Sequence, residues 1–218
     1  MTRVLVGVLL LLSTACGACA GELDVSGRHL ARADANFRTG RAGAALVEYR
    51  TFLGGCPHHP RADYAIYMVG ESCRLAASEM LVPPYMFLEL SPRQEPDSRT
   101  LANYLAATYG MYADMSEGDG YWRYDMRAYR ELLKRYPRSQ YADDCRFLLA
   151  QARPHRGWSI GSGPPVAQIA RGLIRDYQAI LRDFPRTNRR AEITKAISEL
   201  REIERRNSAR PARRRPPG

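Results

Sequence analysis

Tyr129-Arg-Glu-Leu-Leu-Lys-Arg-Tyr-Pro137 is one of three versions of the same nine-residue phrase. The others are Tyr49-Arg-Thr-Phe-Leu-Gly-Gly-Cys-Pro57 and Tyr177-Gln-Ala-Ile-Leu-Arg-Asp-Phe-Pro185. In each, tyrosine stands eight residues before proline and leucine four before it. Four residues is about one helical turn, so Tyr and Leu share a helix face that buries against a neighbour. Proline then ends the helix, because its ring disfavours helical geometry in the preceding residue. Five residues after the first two prolines come Ala62 and Ala142, small enough for the next helix to pack closely. The third copy carries its alanine one place later, at Ala191. Helix, proline turn and helix, repeated in this way, predict a stacked array in which each unit buries its face on the next.

Apolar spacing extends this pattern in both directions. Leu30, Ala33 and Phe37 mark a helix that Gly40 ends. Ala42, Leu46, Tyr49 and Leu53 mark a second, stopping at Gly54-Gly55. Pro60 suits the first position of a third helix, carrying Ala62, Ile66, Val69, Cys73 and Ala76. Four prolines make 81–98 a loop, with Asp97 or Ser98 capping the next helix over Leu101, Tyr104, Leu105, Thr108, Tyr109 and Tyr112. Ser116 to Gly120 read as a turn, and Trp122, Met126, Tyr129, Leu133 and Tyr136 as a further helical stripe. Ser139 caps a helix with Cys145, Leu148, Leu149 and Ala152, and the Pro/Gly-rich stretch 154–165 is a loop. Val166 to Phe184 and Ile193 to Ile203 give the last two helices. No useful length alternates with period two, so the fold class is all-α, a tetratricopeptide-like helix–turn–helix solenoid over residues 21–206.

Residues 1–20 read as a targeting segment. Arg3 precedes a nine-residue apolar run, Val4 to Leu12, which is too short to span a bilayer and fits a signal-peptide core. Two processing routes compete. Leu12-Ser13-Thr14-Ala15-Cys16 resembles a bacterial lipobox, which makes Cys16 the lipidation site and palmitate one of its acyl chains. Ala18-Cys19-Ala20 fits ordinary cleavage, releasing a soluble periplasmic protein from Gly21. Each acyl methylene adds about 0.8 kcal/mol of membrane affinity, so the choice decides whether the chain is anchored. Cys56, Cys73 and Cys145 lack metal-ligand spacing and read as small buried residues, with a Cys56–Cys73 disulfide as the alternative.

A net charge of +10 first suggests nucleic acid. Arg3 and six arginines from Arg205 onward hold seven of those units, leaving +3 on residues 4–204. A body so near neutral lacks the broad basic face that phosphate binding needs, and no nucleic-acid partner is expected. Residues 207–218 are Arg/Pro-rich, an expected disordered tail suited to anionic lipid headgroups.

The chain offers no catalytic constellation, cofactor motif or metal site. His58 and His59 are adjacent in a turn, where neighbouring side chains point apart, and only Asp63 stands near them as a further ligand. Gly161-Ser162-Gly163 follows no strand and is a connector, not a phosphate loop. Glu117 and Asp119 lie on a turn as solvated acids. The 13 tyrosines suit interhelix packing or a peptide-binding groove. A binding protein is expected, not an enzyme.

Three stretches resemble the BamD-type lipoproteins of outer-membrane β-barrel assembly. They are Tyr49 to Leu53, His59-Pro60-Arg61-Ala62-Asp63-Tyr64-Ala65-Ile66-Tyr67-Met68-Val69-Gly70, and Leu133 to Asp143. The likeness covers residues 31–153, then 166–200 more weakly, with residues 100–123 as an insertion and the array one unit shorter at its N-terminus. It implies a lipid-anchored scaffold on the periplasmic face of the outer membrane that holds barrel-assembly subunits and unfolded precursors. It also implies that Asp63, Tyr64 and Tyr67 form a partner-binding surface, packing of the repeat being the other role open to them. An envelope adaptor for division, peptidoglycan-linked or secretion machinery is the alternative function.

Overall fold

Glycine and proline end the helices, and the computed structural model describes residues 27–80, 96–114, 120–152 and 166–208. The helices are α1 (27–38), α2 (Ala42–Gly55), α3 (Ala62–Ser78), α4 (Pro96–Tyr109), α5 (Arg127–Arg135), α6 (Ala142–Ala152), α7 (Val166–Asp183) and α8 (Arg190–Ser208). α1 ends on Gly40, whose φ of +75° suits a residue without a Cβ. There the Gly40 N–H donates to the Phe37 carbonyl and the Arg41 N–H to that of Asn36, so two carbonyls of the last turn are satisfied.

The three proline turns are built alike. Cys56, Tyr136 and Phe184 donate their N–H to the carbonyls of Phe52, Leu132 and Ile180, at 2.8, 2.7 and 2.8 Å. Three residues on, His59, Ser139 and Thr187 donate to the carbonyls of Cys56, Tyr136 and Phe184. The same three side chains then accept a backbone N–H two residues ahead. Arg61 N–H donates to His59 Nδ1 at 3.0 Å, and Tyr141 and Arg189 donate to the hydroxyls of Ser139 and Thr187 at 3.2 Å. Side-chain acceptors at this point satisfy donors that the start of a helix leaves open. Pro60 lies inside its turn, two residues before α3, and not at the first helical position.

Burial refines the phrase. Tyr49, Tyr129 and Tyr177 are all buried. The residues five before each proline, Phe52, Leu132 and Ile180, are more deeply buried than the leucines four before it, which are half-exposed. Ala62 and Ala142 are fully buried, but Ala191 is exposed. Arg190 stands where they do, and Ile193 fills the next inward position as Ala65 and Cys145 do, so the third copy packs through a larger residue one turn later.

The all-α class holds with one exception. Met111–Asp114 (β1) and Tyr121–Tyr124 (β2) form an antiparallel pair, Met111 opposite Tyr124 and Asp114 opposite Tyr121. Tyr112 and Trp122, expected on helices, therefore lie on strands, and α5 begins only at Arg127. Positive φ at Gly110, Gly120 and Met126 brackets the strands and breaks the helical periodicity that spacing alone suggests. α4 already includes Pro96 to Ser98, so the loop expected at 81–98 is shorter than its composition suggests. Proline at the first helical position lacks only an N–H that would find no partner there. α8 continues through Asn207 and Ser208, two residues past the expected start of the tail. The leader, the stretch 81–95, the loop 154–165 and the tail from 209 lie outside the described residues.

The chain divides into two compact units, residues 1–114 with 121–128, and residues 115–120 with 129–218. In the first, Leu30 and Ala33 of α1 are buried, as are Leu46, Tyr49 and Phe52 of α2 and Ile66, Val69 and Cys73 of α3. In the second, Phe147 and Ala150 of α6 pack with Leu173, Ile174, Tyr177 and Ile180 of α7 and Ile193 and Ile197 of α8.

Candidate partner-binding site

The most specific stretch of the sequence enters α3 at its N-terminal end. Asp63, Tyr64 and Tyr67 are half-exposed there, on the first two turns of a helix whose opposite face, Ala62, Ala65 and Ile66, is buried. The Tyr64 hydroxyl donates to Asp34 Oδ1 at 2.7 Å, and the Tyr49 hydroxyl donates to the same oxygen at 2.7 Å. The two rings meet edge to face with centroids 6.2 Å apart. The Arg61 guanidinium lies 4.5 Å from the centre of the Tyr64 ring and 3.7 Å from Asp34 Oδ2. One carboxylate on α1 thus ties α2 and α3 together. Burial first, then the Asp34 carboxylate, hold the Tyr49 phenol protonated far above the ordinary tyrosine range. The Tyr64 phenol moves the same way, by burial first and then by the Asp34 carboxylate, with Tyr49 and more weakly Arg61 opposing.

A second polar contact joins α1 to α2. His29 Nδ1 lies 2.5 Å from Glu48 Oε2, and Arg32 stands 3.7 Å from the other oxygen of that carboxylate. Asp34 and Glu48 hold this unit together, and neither stands out in the sequence. The sign that would have found Asp34 is an acid next to the Leu30–Ala33 stripe, where a solvated face is the ordinary reading.

The histidine pair has a structural use: His59 Nδ1 accepts the Arg61 N–H, and its ring meets Phe52 edge to face at 5.0 Å. Among the described residues, no three His, Cys, Asp or Glu side chains are grouped to hold a metal ion. Cys56, Cys73 and Cys145 are thiols, and no disulfide joins Cys56 to Cys73. Burial pushes the Cys73 thiol up to about 11, so it stays protonated at neutral pH and is a poor nucleophile. Cys16 lies outside the described residues.

Residues 27–155, more than half of the chain, match the YfiO family, described as outer membrane lipoprotein. The chain belongs to this outer membrane lipoprotein family. The matched region holds the first two copies of the repeat, the strand pair and the Asp34 cluster, and ends before α7. Among curated proteins, no individual relative matches the chain.

Proposed function

We propose that the chain is a lipid-anchored scaffold of the machinery that assembles β-barrel proteins into the outer membrane, of the BamD type. It works by binding proteins and not by catalysis. The observation that carries this reading is the outer membrane lipoprotein family match across both of the first two repeats. Cys16 carries the acyl chains, and the body stands on the periplasmic face. Asp63, Tyr64 and Tyr67 present the start of α3 to a partner, a barrel-assembly subunit or an unfolded precursor. The Asp34 cluster supports this role by fixing the backbone of that turn, so that little ordering entropy remains to be lost on binding.

The test is co-purification after mild crosslinking in the native envelope, with radiolabelled palmitate followed in parallel. A barrel-assembly core subunit should be recovered, and recovery should fall at least fivefold in the Asp63→Ala, Tyr67→Ala double variant. Palmitate should enter the wild type and not Cys16→Ser. Recovery of division or peptidoglycan-bound proteins alone would overturn the assembly role, and label in Cys16→Ser would overturn the anchor.

A further inference from the structure

The three copies of the repeat allow their outward faces to be compared within one chain. Two residues before the tyrosine, the second and third copies carry Arg127 and Arg175. Five and six residues after it they carry Lys134-Arg135 and Arg182-Asp183. All six side chains are exposed, as on an ordinary solvated helix face. The first copy has Val47 and Gly54-Gly55 at the same places. The exposed residues of α2 are Ala44, Val47, Arg50, Thr51, Gly54 and Gly55, so its outer side carries a single charge. Val47, at 62%, is the most exposed large apolar side chain among the described residues.

Aromatic side chains of α4 stand beside this face. Gly43, Val47 and Arg50 follow one another at four and three residues, which places them on one side of α2. A Cβ on Gly43 would lie 3.2 Å from the Tyr109 hydroxyl, at the end of α4. Burial and then Tyr104 raise the Tyr109 phenol above its ordinary range, and the Arg50 guanidinium opposes them. Both ends of the face therefore lie near Tyr109, with Val47 between them. Tyr104, 52% exposed, meets the Tyr109 ring edge to face at 6.2 Å. All of these residues belong to the first compact unit. Arg50 has no ion pair among the described residues. Glu48 is engaged by His29 and Arg32, and Asp125 by Arg127.

We propose that the outer face of α2, with Tyr104 and Tyr109, binds a peptide segment of a partner protein in which an acidic residue adjoins an aromatic or large aliphatic one. Val47 and the two rings take the apolar side chain, and Arg50 takes the carboxylate. Tyrosine and arginine are the residue types from which protein interfaces draw much of their affinity. Charge complementarity sets the sign of the partner. The one cation of this face lacks an acid of its own, and a carboxylate from outside would form the charge-assisted pair it is open to. An anionic bilayer is held by several cations around a patch, and this face has one. The proposal rests on the protein-binding part of the function proposed above, not on the assembly role. It shares no residue with Asp63, Tyr64 and Tyr67, and its test uses no assembly subunit, so either reading can fail alone.

The test is fluorescence polarisation of the chain from residue 21 onward, made without its leader, with a short labelled peptide carrying phenylalanines between glutamates. Two companion peptides have lysine in place of glutamate or serine in place of phenylalanine. At about 150 mM salt, the first peptide should bind, and each companion should bind at least about tenfold more weakly. Val47→Arg gives the first copy the charge of the other two and by itself favours an acidic peptide, yet it should weaken binding by about tenfold. Arg50→Gln should weaken it several-fold and Arg50→Lys should keep most of it, while Arg175→Gln should leave it unchanged. Absence of binding overturns the proposal. Binding undiminished in Val47→Arg, or by the serine peptide, would show attraction to general positive charge and overturn it as well. Sedimentation equilibrium should give a monomer. A dimer that Val47→Arg dissociates would assign the face to a second copy, and displacement of the peptide by phosphatidylglycerol vesicles would assign it to a bilayer, each overturning the proposal.

Discussion

Asp34 Oδ1 accepts from two phenols, and the energetics of that sharing can be measured. Tyr49→Phe leaves the carboxylate its bond to Tyr64 and its contact with Arg61, and Tyr64→Phe leaves it Tyr49. Hydrogen bonds to a charged group contribute about 1.5–3 kcal/mol, and a remaining donor compensates in part, so each single variant should cost about 1–2 kcal/mol. The double variant leaves the half-buried carboxylate with Arg61 at 3.7 Å and should cost about 1 kcal/mol more than the sum. Urea unfolding of the four proteins checks this, and strict additivity would mean that the phenols act independently. Cys73 sets a pH dependence. Its thiol rises from 9.0 to about 11 on folding, so the folded state favours the protonated form. Its contribution is complete below pH 9 and is lost as pH rises through 11, on the order of 2–3 kcal/mol. Cys73→Ala should therefore be less stable at pH 7 but flatter in urea-unfolding free energy between pH 9 and 10, before the buried tyrosines titrate. Tyr49 was legible in the sequence because its spacing repeats. Asp34 was not, because its phenol partners lie 15 and 30 residues away and nothing local distinguishes it from a solvated acid.

At the scale of elements, the repeat was legible and the strand pair was not. Proline spacing fixes where each first helix stops, and three turns with matching hydrogen bonds show that this signal is physical. Strands of four residues are too short to establish period two, and Trp122, Met126 and Tyr129 fall by chance at helical spacing. The informative residues were Gly110 and Gly120, at φ +65° and +80°, each immediately before a β-forming stretch, Met-Tyr-Ala and Tyr-Trp-Arg-Tyr. Gly110 does more than turn the chain. A Cβ there would come within 2.9 Å of Arg127 Nε and of Asp125 Oδ1. Arg127 is held in place, donating to the Ala106 carbonyl at the end of α4 at 2.9 Å and to Asp125 Oδ2 at 2.9 Å. Gly110→Ala must adopt a left-handed conformation and disturb this cap, which should destabilise the chain by about 2–3 kcal/mol. Gly172 lies inside α7 with nothing within 4 Å of an added Cβ. Gly172→Ala should stabilise by about 0.5–1 kcal/mol, as removing a helical glycine does. Thermal melts of the two variants should shift in opposite directions, and a rise in both would remove the cap argument.

For the whole molecule, the average charge misled where the division of the chain informs. Summed over 4–204 the body is close to neutral, yet 115–120 with 129–208 carries +6 while 1–114 with 121–128 carries no net charge. The sequence contained both numbers, but the boundary that makes them meaningful came from the compact units. The cationic unit does not neutralise itself with strong pairs. The second oxygen of Asp183 serves Arg146 at 2.6 Å and the first serves Arg182, and all three side chains are more than one-third exposed. Exposed pairs of this kind contribute little, and salt screens them. The partly buried Arg189–Asp144 pair, with Arg189 also 4.8 Å from the centre of the Phe147 ring, is held more firmly and is screened less. Long-range repulsion among the remaining arginines should therefore respond more to salt than the attractive pairs do. Raising sodium chloride from about 20 to 300 mM should raise the melting temperature of the chain by a few degrees. Arg175→Gln, which removes one exposed positive charge, should raise it at low salt and reduce the further gain from salt. A melting temperature that falls with salt would show that the surface pairs outweigh the repulsion.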